Sequence, residues 1–295
     1  MNHFELLKKF PDDISIIRYF IRIRYEGNIK CNHCGSSKIV SLKNPKFYQC
    51  NGCNQTFSIF KGTIFEKTRV SLQKWILAIN FVCNNKKSLS ACQLQREIGG
   101  SYETSWRMLH QIRKAMSNNI TKNLFDAIVE VDETYVGGKP RKGSKNKSKR
   151  GRGSNSKTPV IGVLERESGR VYAKVALPNA EGKKLTGKQL LTVIDESVKK
   201  DATIMSDEFR GYRILDRKIA TRIHLVVNHS QEFVRGDVHT NNIENFWSLL
   251  KRGVIGSYHH ISVKYMQNYV DEFSFRFSER KNPKIFDLIV KKSVL

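Results

Sequence analysis

Four cysteines constrain the fold of this chain more than any other feature of its sequence. Cys31 and Cys34 form one C-x2-C pair, Cys50 and Cys53 form a second, and fifteen residues separate the two pairs. Residues 28–60 are otherwise rich in Gly, Asn, Ser and Lys, and too poor in apolar side chains to fold unaided. The spacing is typical of a structural zinc site closed by four thiolates, whereas four reduced thiols that merely pack are the alternative. The sequence therefore predicts a zinc ribbon over residues 28–60, with no open coordination position for catalysis.

The chain carries a large excess of positive charge. Its 295 residues include 52 Lys and Arg against 27 Asp and Glu, which gives a formal net charge of +25. Such an excess favours a polyanionic partner, with nucleic acid first and an anionic membrane surface second. No run approaches the length of a membrane span, and the N-terminus lacks an apolar stretch of the signal-peptide type. We therefore expect a cytoplasmic, nucleoid-associated protein with no membrane partner, whose cysteines are thiols or metal ligands.

Sequence patterns divide the chain into four regions. Residues 1–27 contain a short helix that Asp12 or Asp13 could cap, and the zinc ribbon follows. Residues 61–120 have helical periodicity with a Gly99-Gly100 break, which predicts a helix-turn-helix segment. From residue 121 to 295, short β-rich runs alternate with helical stretches, which predicts an α/β domain with a mixed sheet. Residues 137–157 contain no acidic residue and are predicted to form a mobile basic loop.

The helix beginning near Ser101 is the predicted recognition helix of the helix-turn-helix segment. In that interpretation Trp106 and Leu109 pack inward, and Arg113 and Lys114 meet phosphates. The groove-facing residues would be Tyr102, Glu103, Ser105 and Arg107. The alternative is a three-helix connector that binds nothing.

Two aspartates end predicted strands in this basic chain. Asp132 ends the run AIVEVDE and Asp207 ends the run ATIMSD, and each is followed by a glutamate, Glu133 or Glu208, that competes for the same role. Carboxylates near a DNA-binding surface repel phosphate unless a divalent cation lies between them. Solvated acids at strand ends are the simpler explanation of these residues.

Glu244 has two possible roles in the segment HTNNIENFWSLLKR. Asn241 and Glu244 have the N-x-x-E spacing of a capping box, which favours a purely structural role. On a helical wheel, however, Glu244 and Lys251 lie at one margin of an apolar face, from which Glu244 could point toward the strand-end acids. Three carboxylates from two strands and a helix could hold two Mg²⁺ or Mn²⁺ ions for an in-line attack on phosphorus.

Three motifs resemble one known family. VEVDETYVGGK at 129–139, SDEFRGY at 206–212 and HTNNIENFWSLLKRGVIGSYHHIS at 239–262 follow a zinc ribbon, as in bacterial insertion-sequence transposases with an RNase H-like DDE catalytic domain. The resemblance covers nearly the whole chain, from about residue 10 to 280. It implies an α/β fold with an RNase H-like mixed sheet and flanking helices, preceded by the ribbon and the helix-turn-helix segment.

The resemblance also implies roles for individual residues. Asp132, Asp207 and Glu244 would be the catalytic metal ligands, with Asn241 as the alternative third ligand. Lys251 would meet DNA near the scissile phosphate. A C-terminal helix with Glu272 and Arg276 one turn apart also matches, although Glu279 departs from the basic residue expected there. The remaining residues assigned to DNA are Arg252, Arg107 and, in the basic loop, Arg141, Lys142, Lys149 and Arg150.

The implied protein is a transposase that binds the terminal inverted repeats of its element and cleaves and joins strands. Its partners would be double-stranded DNA, as transposon ends and target, and a second copy of itself on that DNA. Two other functions remain open at this point. One is a non-catalytic zinc-ribbon and helix-turn-helix regulator, and the other is a general nuclease of the RNase H-like class.

Overall fold

The structure is a computed structural model that describes residues 1–117, 125–137, 157–178, 185–218, 223–227 and 237–295. The chain divides into two compact units. The first comprises Met1–Met116 and Asn282–Leu295, and the second comprises Ser117–Lys281. Among the described residues, no helix has both the length and the apolar character needed to cross a bilayer.

The first unit consists of helices around a small sheet. The helices are α1 (His3–Lys9), α2 (Asp13–Tyr25), α3 (Leu72–Asn84), α4 (Ala91–Ile98), α5 (Tyr102–Met116) and α10 (Ile285–Val294). The antiparallel sheet contains β1 (Ile39–Ser41), β2 (Phe47–Cys50) and β3 (Thr56–Ser58). The predicted catalytic region ran to Leu295, but α10 packs on α2, α3 and α5 instead. Its buried apolar side chains provide the reason, namely Phe286, Ile289, Val290 and Val294.

Both N-terminal aspartates cap helices, but not the same one. Asp12 is the N-cap of α2 and accepts a bond from the backbone N–H of Ser15 at 2.7 Å. Asp13 instead accepts from the N–H groups of Leu72 and Gln73 at 3.1 and 3.3 Å, at the start of α3. A carboxylate on one element thus satisfies unpaired donors at the N-terminus of another helix.

The predicted helix-turn-helix arrangement corresponds to α4 and α5, which are joined through Gly99 and Gly100. Both glycines have positive φ angles, 69° and 93°. Arg107 is exposed, as predicted for a residue that faces a groove, and so are Tyr102 and Glu103. Ser105 and Arg113 are 0% and 3% exposed, so their predicted contact with DNA is wrong for this arrangement. They lie on the side of α5 that Leu109, Ile112 and Met116 bury against neighbouring helices.

The second unit is built on a mixed sheet in the order β6-β5-β4-β7-β8 among the described residues. The strands are β4 (Ile128–Val136), β5 (Thr158–Glu165), β6 (Val171–Val175), β7 (Thr203–Asp207) and β8 (Ile223–Val227). β4, β5 and β6 pair antiparallel, whereas β4, β7 and β8 pair parallel. This order and these directions confirm the predicted α/β, RNase H-like sheet with helices on its faces.

The two faces of the sheet carry different helices. One face packs on α6 (Gly187–Ser197) and on the 3₁₀ turn Arg210–Tyr212, which leads into α7 (Arg213–Lys218). The other packs on α8 (Asn241–Gly253) and α9 (Met266–Ser278). A π-helical turn, Val254–Tyr258, extends α8, and a 3₁₀ turn, Val263–Tyr265, precedes α9. Along β4, successive side chains therefore alternate between the α6 face and the α8 face.

Helix α9 is buried and does not offer its charged pair to a ligand. Glu272 and Arg276 are 1% and 9% exposed and form an ion pair of 3.1 Å. The hydroxyl of Tyr258 donates to the same glutamate at 3.3 Å. The charged pair that matches the family's C-terminal helix therefore anchors the π-helical turn inside the unit.

The Asp271 carboxyl on α9 predicts a measurable pH effect. Burial raises its pKa from 3.8 to about 6, although the Gln267 amide donates to it. Because the pKa of Asp271 is higher in the folded state, ionisation of this carboxyl lowers the free energy of unfolding. The loss is absent below pH 3.8, grows as the pH rises toward about 6, and is complete above that. Asp271→Asn keeps an acceptor for Gln267 and should raise unfolding free energy at pH 7.5 by about 1–3 kcal/mol. Urea unfolding at several pH values checks this, and a gain that does not shrink toward pH 4.5 would contradict it.

Candidate active site

The parallel strands β4 and β7 place Asp132 and Asp207 at neighbouring positions in the sheet. The last recorded pair of β4 and β7 is Glu130 with Met205, and each aspartate lies two residues further along its strand. Oxygen atoms of Asp132, Glu133 and Asp207 all lie within 4.8 Å of one another. These hard carboxylate oxygens are the donors that Mg²⁺ and Mn²⁺ prefer, so the donor set fits a divalent cation.

Asp132 is held in place by two donors. Its Oδ1 accepts from the backbone N–H of Glu133 at 2.8 Å, and its Oδ2 accepts from the indole N–H of Trp247 at 3.0 Å. Burial first, and the negative charges of Asp207 and Glu244 after it, together raise the pKa of Asp132 to about 7. Asp207 accepts from the backbone N–H of Phe209 at 3.0 Å. The raised pKa of Asp132 therefore reflects burial first and neighbouring carboxylates second.

Glu133 belongs to the opposite face of the sheet. It is 7% exposed, and its Oε2 accepts from the hydroxyl of Tyr212 at 3.1 Å. Tyr212 belongs to the apolar cluster on the α6 face, which explains why the carboxylate turns that way. Glu208, the other glutamate beside an aspartate, is exposed.

Glu244 lies on the first turn of α8, but not in the capping box that the sequence suggested. The N-cap is Thr240, and Asn241 is the first helical residue, so the predicted Asn241–Glu244 box is wrong. The Glu244 carboxylate accepts from the hydroxyl of Thr240 at 3.2 Å and is exposed. The apolar face predicted for this helix is confirmed, because Ile243, Phe246, Trp247 and Leu250 are all buried.

The group that caps α8 is Glu130, which sequence reasoning did not assign to the site. Glu130 is 0% exposed, and its Oε2 accepts from the backbone N–H groups of Asn242 and Ile243, both at 3.0 Å. Its Oε1 accepts from the side-chain amide of Asn242 at 2.8 Å and from Nε of Arg166 at 2.7 Å. The available signal was the period-2 alternation that puts Glu130 and Asp132 on one face of β4.

Trp247 reaches Asp132 because the sheet has no side chain at the facing position. Gly162 on β5 pairs with Asp132 across the strands. A Cβ atom on Gly162 would lie 2.5 Å from the Trp247 ring and 3.0 Å from Ile243. Glycine at this position therefore lets α8 approach the sheet closely enough for its indole to orient the aspartate.

A cleft of about 550 Å³ opens over these carboxylates. Both acidic and cationic side chains line this cleft. The lining residues that bear on chemistry are Asp132, Glu133, Asp207, Glu244, Lys251 and Arg252. Lys251 and Arg252 are exposed, whereas Asn241 is not part of the cleft wall among the described residues. Arg141, Lys142, Lys149 and Arg150 of the predicted basic loop lie outside the described residues.

The four ribbon cysteines form a cluster in the first unit. Sγ of Cys31 lies 3.7 Å from Sγ of Cys53, and Sγ of Cys34 lies 3.6 Å from Sγ of Cys50. Sulfurs about 2.3 Å from a tetrahedral zinc ion would lie about 3.8 Å apart, so the cluster fits zinc. Burial of the Cys50 thiol opposes ionisation, yet the N–H groups of Cys53 and Gly52 lower its pKa to about 6. The buried residues of the ribbon's apolar cluster are Cys31, Cys50 and Phe57. Because so few apolar side chains are buried in this cluster, a bound metal would be the main link between its strands and loops.

Asp207 ends β7 as predicted, but the prediction that Asp132 ends its strand is wrong, because pairing with β5 continues β4 to Val136. The two aspartates, together with a glutamate of α8 in the same cleft, form the carboxylate group expected of a DDE enzyme. The sequence model of the ISXO2-like transposase domain matches residues 124–278, and that of a transposase zinc-ribbon domain matches residues 11–56. The chain belongs to the IS1595 family of DDE transposases, with an N-terminal zinc ribbon.

Relatives come from both an archaeon and a bacterium. An uncharacterized protein in transposable element ISH50 of Halobacterium salinarum is 29% identical over 83% of this chain and 84% of its own length. An uncharacterized transposase-like protein of Haemophilus influenzae is 33% identical over 37% of this chain and 81% of its own length. The resemblance to insertion-sequence transposases is confirmed, but its restriction to bacteria is not.

Proposed function

We propose that this protein binds the terminal inverted repeats of its own insertion sequence and cleaves and joins DNA strands there. The observation that carries the proposal is the cleft in which carboxylates and exposed cations lie side by side. A phosphodiester brought in by Lys251 and Arg252 would lie over Asp132 and Asp207. Bound Mg²⁺ or Mn²⁺ ions would supply Lewis-acid activation of the nucleophile and neutralise charge at the phosphate.

The chain's own groups prepare the site for that chemistry. The Trp247 indole and the Glu133 backbone N–H each occupy one oxygen of Asp132 and fix the plane of its carboxylate. The Phe209 N–H does the same for Asp207. Water would act as the first nucleophile, and the 3′-hydroxyl that cleavage frees would act as the second.

For the third ligand we propose Glu244 rather than Asn241 or Glu133. The Glu133 oxygen lies in the same 4.8 Å group as the aspartates, which favours it on distance alone. However, Glu133 is buried and accepts from Tyr212, whereas Glu244 is exposed in the cleft where DNA would arrive. The charge of Glu244 also contributes to the raised pKa of Asp132, which requires the two carboxylates to be near each other.

DNA recognition would use several parts of the chain. Arg107 on α5 is exposed at the expected groove-facing position, and the basic loop would track the DNA backbone through Arg141, Lys142, Lys149 and Arg150. The net charge of +25 favours binding that weakens steeply as salt rises. Two subunits, each holding one transposon end, would complete the assembly on DNA.

The function is tested with DNA duplexes made from the flanks of the encoding gene. The protein with Mg²⁺ is incubated with end duplexes or scrambled duplexes, together with a supercoiled target plasmid. Transposase activity predicts cutting at the ends and joining to the plasmid only for end duplexes. Equal cutting of both duplexes would assign a general nuclease instead. Binding to the duplexes without cutting, in Mg²⁺ and again in Mn²⁺, would assign a regulator.

A further inference from the structure

The catalytic cleft depends on how α8 is placed on the sheet, and the ion pair of Glu130 and Arg166 forms the contact at its start. Glu130 has a side chain that is fully buried, and that of Arg166 is 17% exposed. Their 2.7 Å contact joins β4 to the segment that follows β5. Neither residue belongs to the cleft wall among the described residues.

The hydrogen bonds described for the Glu130 carboxylate come from the start of α8 and from Arg166. Oε2 accepts two backbone N–H groups from the first turn of the helix, and Oε1 accepts the Asn242 amide and the guanidinium. The first N–H groups of a helix have no partner within the helix, and a carboxylate there also interacts favourably with the helix dipole. Glu130 therefore fixes the N-terminal end of α8 to β4.

Arg166 secures the chain just before that helix. Its NH1 donates to the carbonyl oxygen of Asp237 and its NH2 to that of His239, both at 2.7 Å. His239 Nδ1 lies 3.4 Å from Oε1 of Glu130. The guanidinium thus holds the helix entry and the capping carboxylate in one network.

Two alternate residues of β4, Glu130 and Asp132, each form hydrogen bonds with α8 at a different point along the helix. Glu130 binds the backbone at Asn242 and Ile243, and Asp132 binds the indole of Trp247 about one turn later. Two attachment points fix both the position and the rotation of the helix. Glu244 follows Ile243 directly, so its direction is set by the Glu130 contact.

We propose that Glu130 and Arg166 are positioning residues that aim Glu244 at the two aspartates of the cleft, an inference that rests on the proposed catalytic function. Glu130→Gln is the sharpest perturbation. Either orientation of the new amide places its NH2 group against N–H donors that now bind a carboxylate oxygen. Glu165→Gln is the matched control, because Glu165 is also buried in this sheet and paired, with Arg170 at 3.1 Å, but accepts nothing from α8.

The test uses the full chain without DNA for two measurements and with DNA for a third. Hydrogen exchange of a peptide covering 241–250 should accelerate in Glu130→Gln and stay at the wild-type rate in Glu165→Gln. Mn²⁺ binding, followed by electron paramagnetic resonance, should weaken by about 10- to 100-fold in Glu130→Gln and stay unchanged in Glu165→Gln. With DNA, the Mg²⁺ concentration for half-maximal cleavage should rise by a similar factor in Glu130→Gln, again not in the control.

A second variant covers the case in which Glu130→Gln does not fold. Arg166→Lys retains a positive charge for Glu130 but loses the fork that holds two carbonyl groups, so it should shift the same three measurements by less. Wild-type exchange and Mn²⁺ affinity in a folded Glu130→Gln or Arg166→Lys protein would overturn the proposal. If wild type cuts no DNA, the proposed function fails, while exchange and Mn²⁺ binding still decide the role of Glu130.

Discussion

Asp132→Asn and Asp207→Asn are each expected to abolish Mg²⁺-dependent cleavage and joining of end duplexes while leaving the fold intact. Each change replaces one carboxylate oxygen with an amide nitrogen, which cannot bind a cation. The loss of several kcal/mol of charge stabilisation corresponds to about three orders of magnitude in rate. Single-turnover cleavage of a labelled end duplex, with circular dichroism as the check on folding, measures the effect.

Asp201→Asn is the matched control for the aspartate series. Asp201 is exposed and precedes β7, the strand that ends at Asp207, so the variant removes the same charge from the other end of that strand. It should cleave at the wild-type rate. Wild-type cleavage by either Asp132→Asn or Asp207→Asn would remove that residue from the active site.

The same assay identifies the third carboxylate. Glu244→Gln should lose activity to a similar degree, whereas Asn241→Ala should retain it, because Asn241 lies outside the cleft wall described for the second unit. Glu133→Gln keeps an acceptor for the Tyr212 hydroxyl and should also remain active. An inactive Glu133→Gln beside an active Glu244→Gln would reassign the ligand to Glu133.

Removal of zinc is expected to have the largest effect on the structure of the first unit. Cys50→Ser, or extraction of the metal with a strong chelator, should unfold residues 28–60. Binding of a structural zinc ion contributes on the order of 10 kcal/mol. The three buried residues of the ribbon's apolar cluster, Cys31, Cys50 and Phe57, offer little to replace it. Zinc content per chain and hydrogen exchange of peptides from 39–58 measure the loss.

Cys92→Ser makes the same chemical change outside the ribbon. Cys92 is exposed on α4 and does not belong to the cysteine cluster, so this variant should retain zinc and exchange as wild type does. End-duplex binding measured in parallel tests whether DNA binding requires a folded ribbon. Full zinc content and slow exchange in Cys50→Ser would contradict the expected role of the Cys50 thiolate as a structural zinc ligand.

The proposed catalytic residues differ in how far the sequence could predict them. The sequence predicts that both aspartates end strands, which holds for Asp207 but not for Asp132, because β4 continues to Val136. The parallel pairing of the two strands still places the aspartates side by side. Glu244 could not be assigned from its own helix, since local spacing favoured a capping box with Asn241. The structure instead has Thr240 as the N-cap and Glu130 as the acceptor of the first helical N–H groups. A carboxylate from a distant strand replaced the local partner that the pattern suggested.

The sequence by itself determined the four-cysteine cluster, the position of Asp207 at the end of its strand and the apolar face of α8, because each follows from local spacing. Only the tertiary structure decided that Glu130 and Arg166 anchor α8, that Gly162 admits Trp247 beside Asp132, and that α10 joins the first unit. These three depend on which distant elements pack together. Such packing is set by burial of whole surfaces and by pairing of buried polar groups, and neither leaves a periodic signal in a single segment.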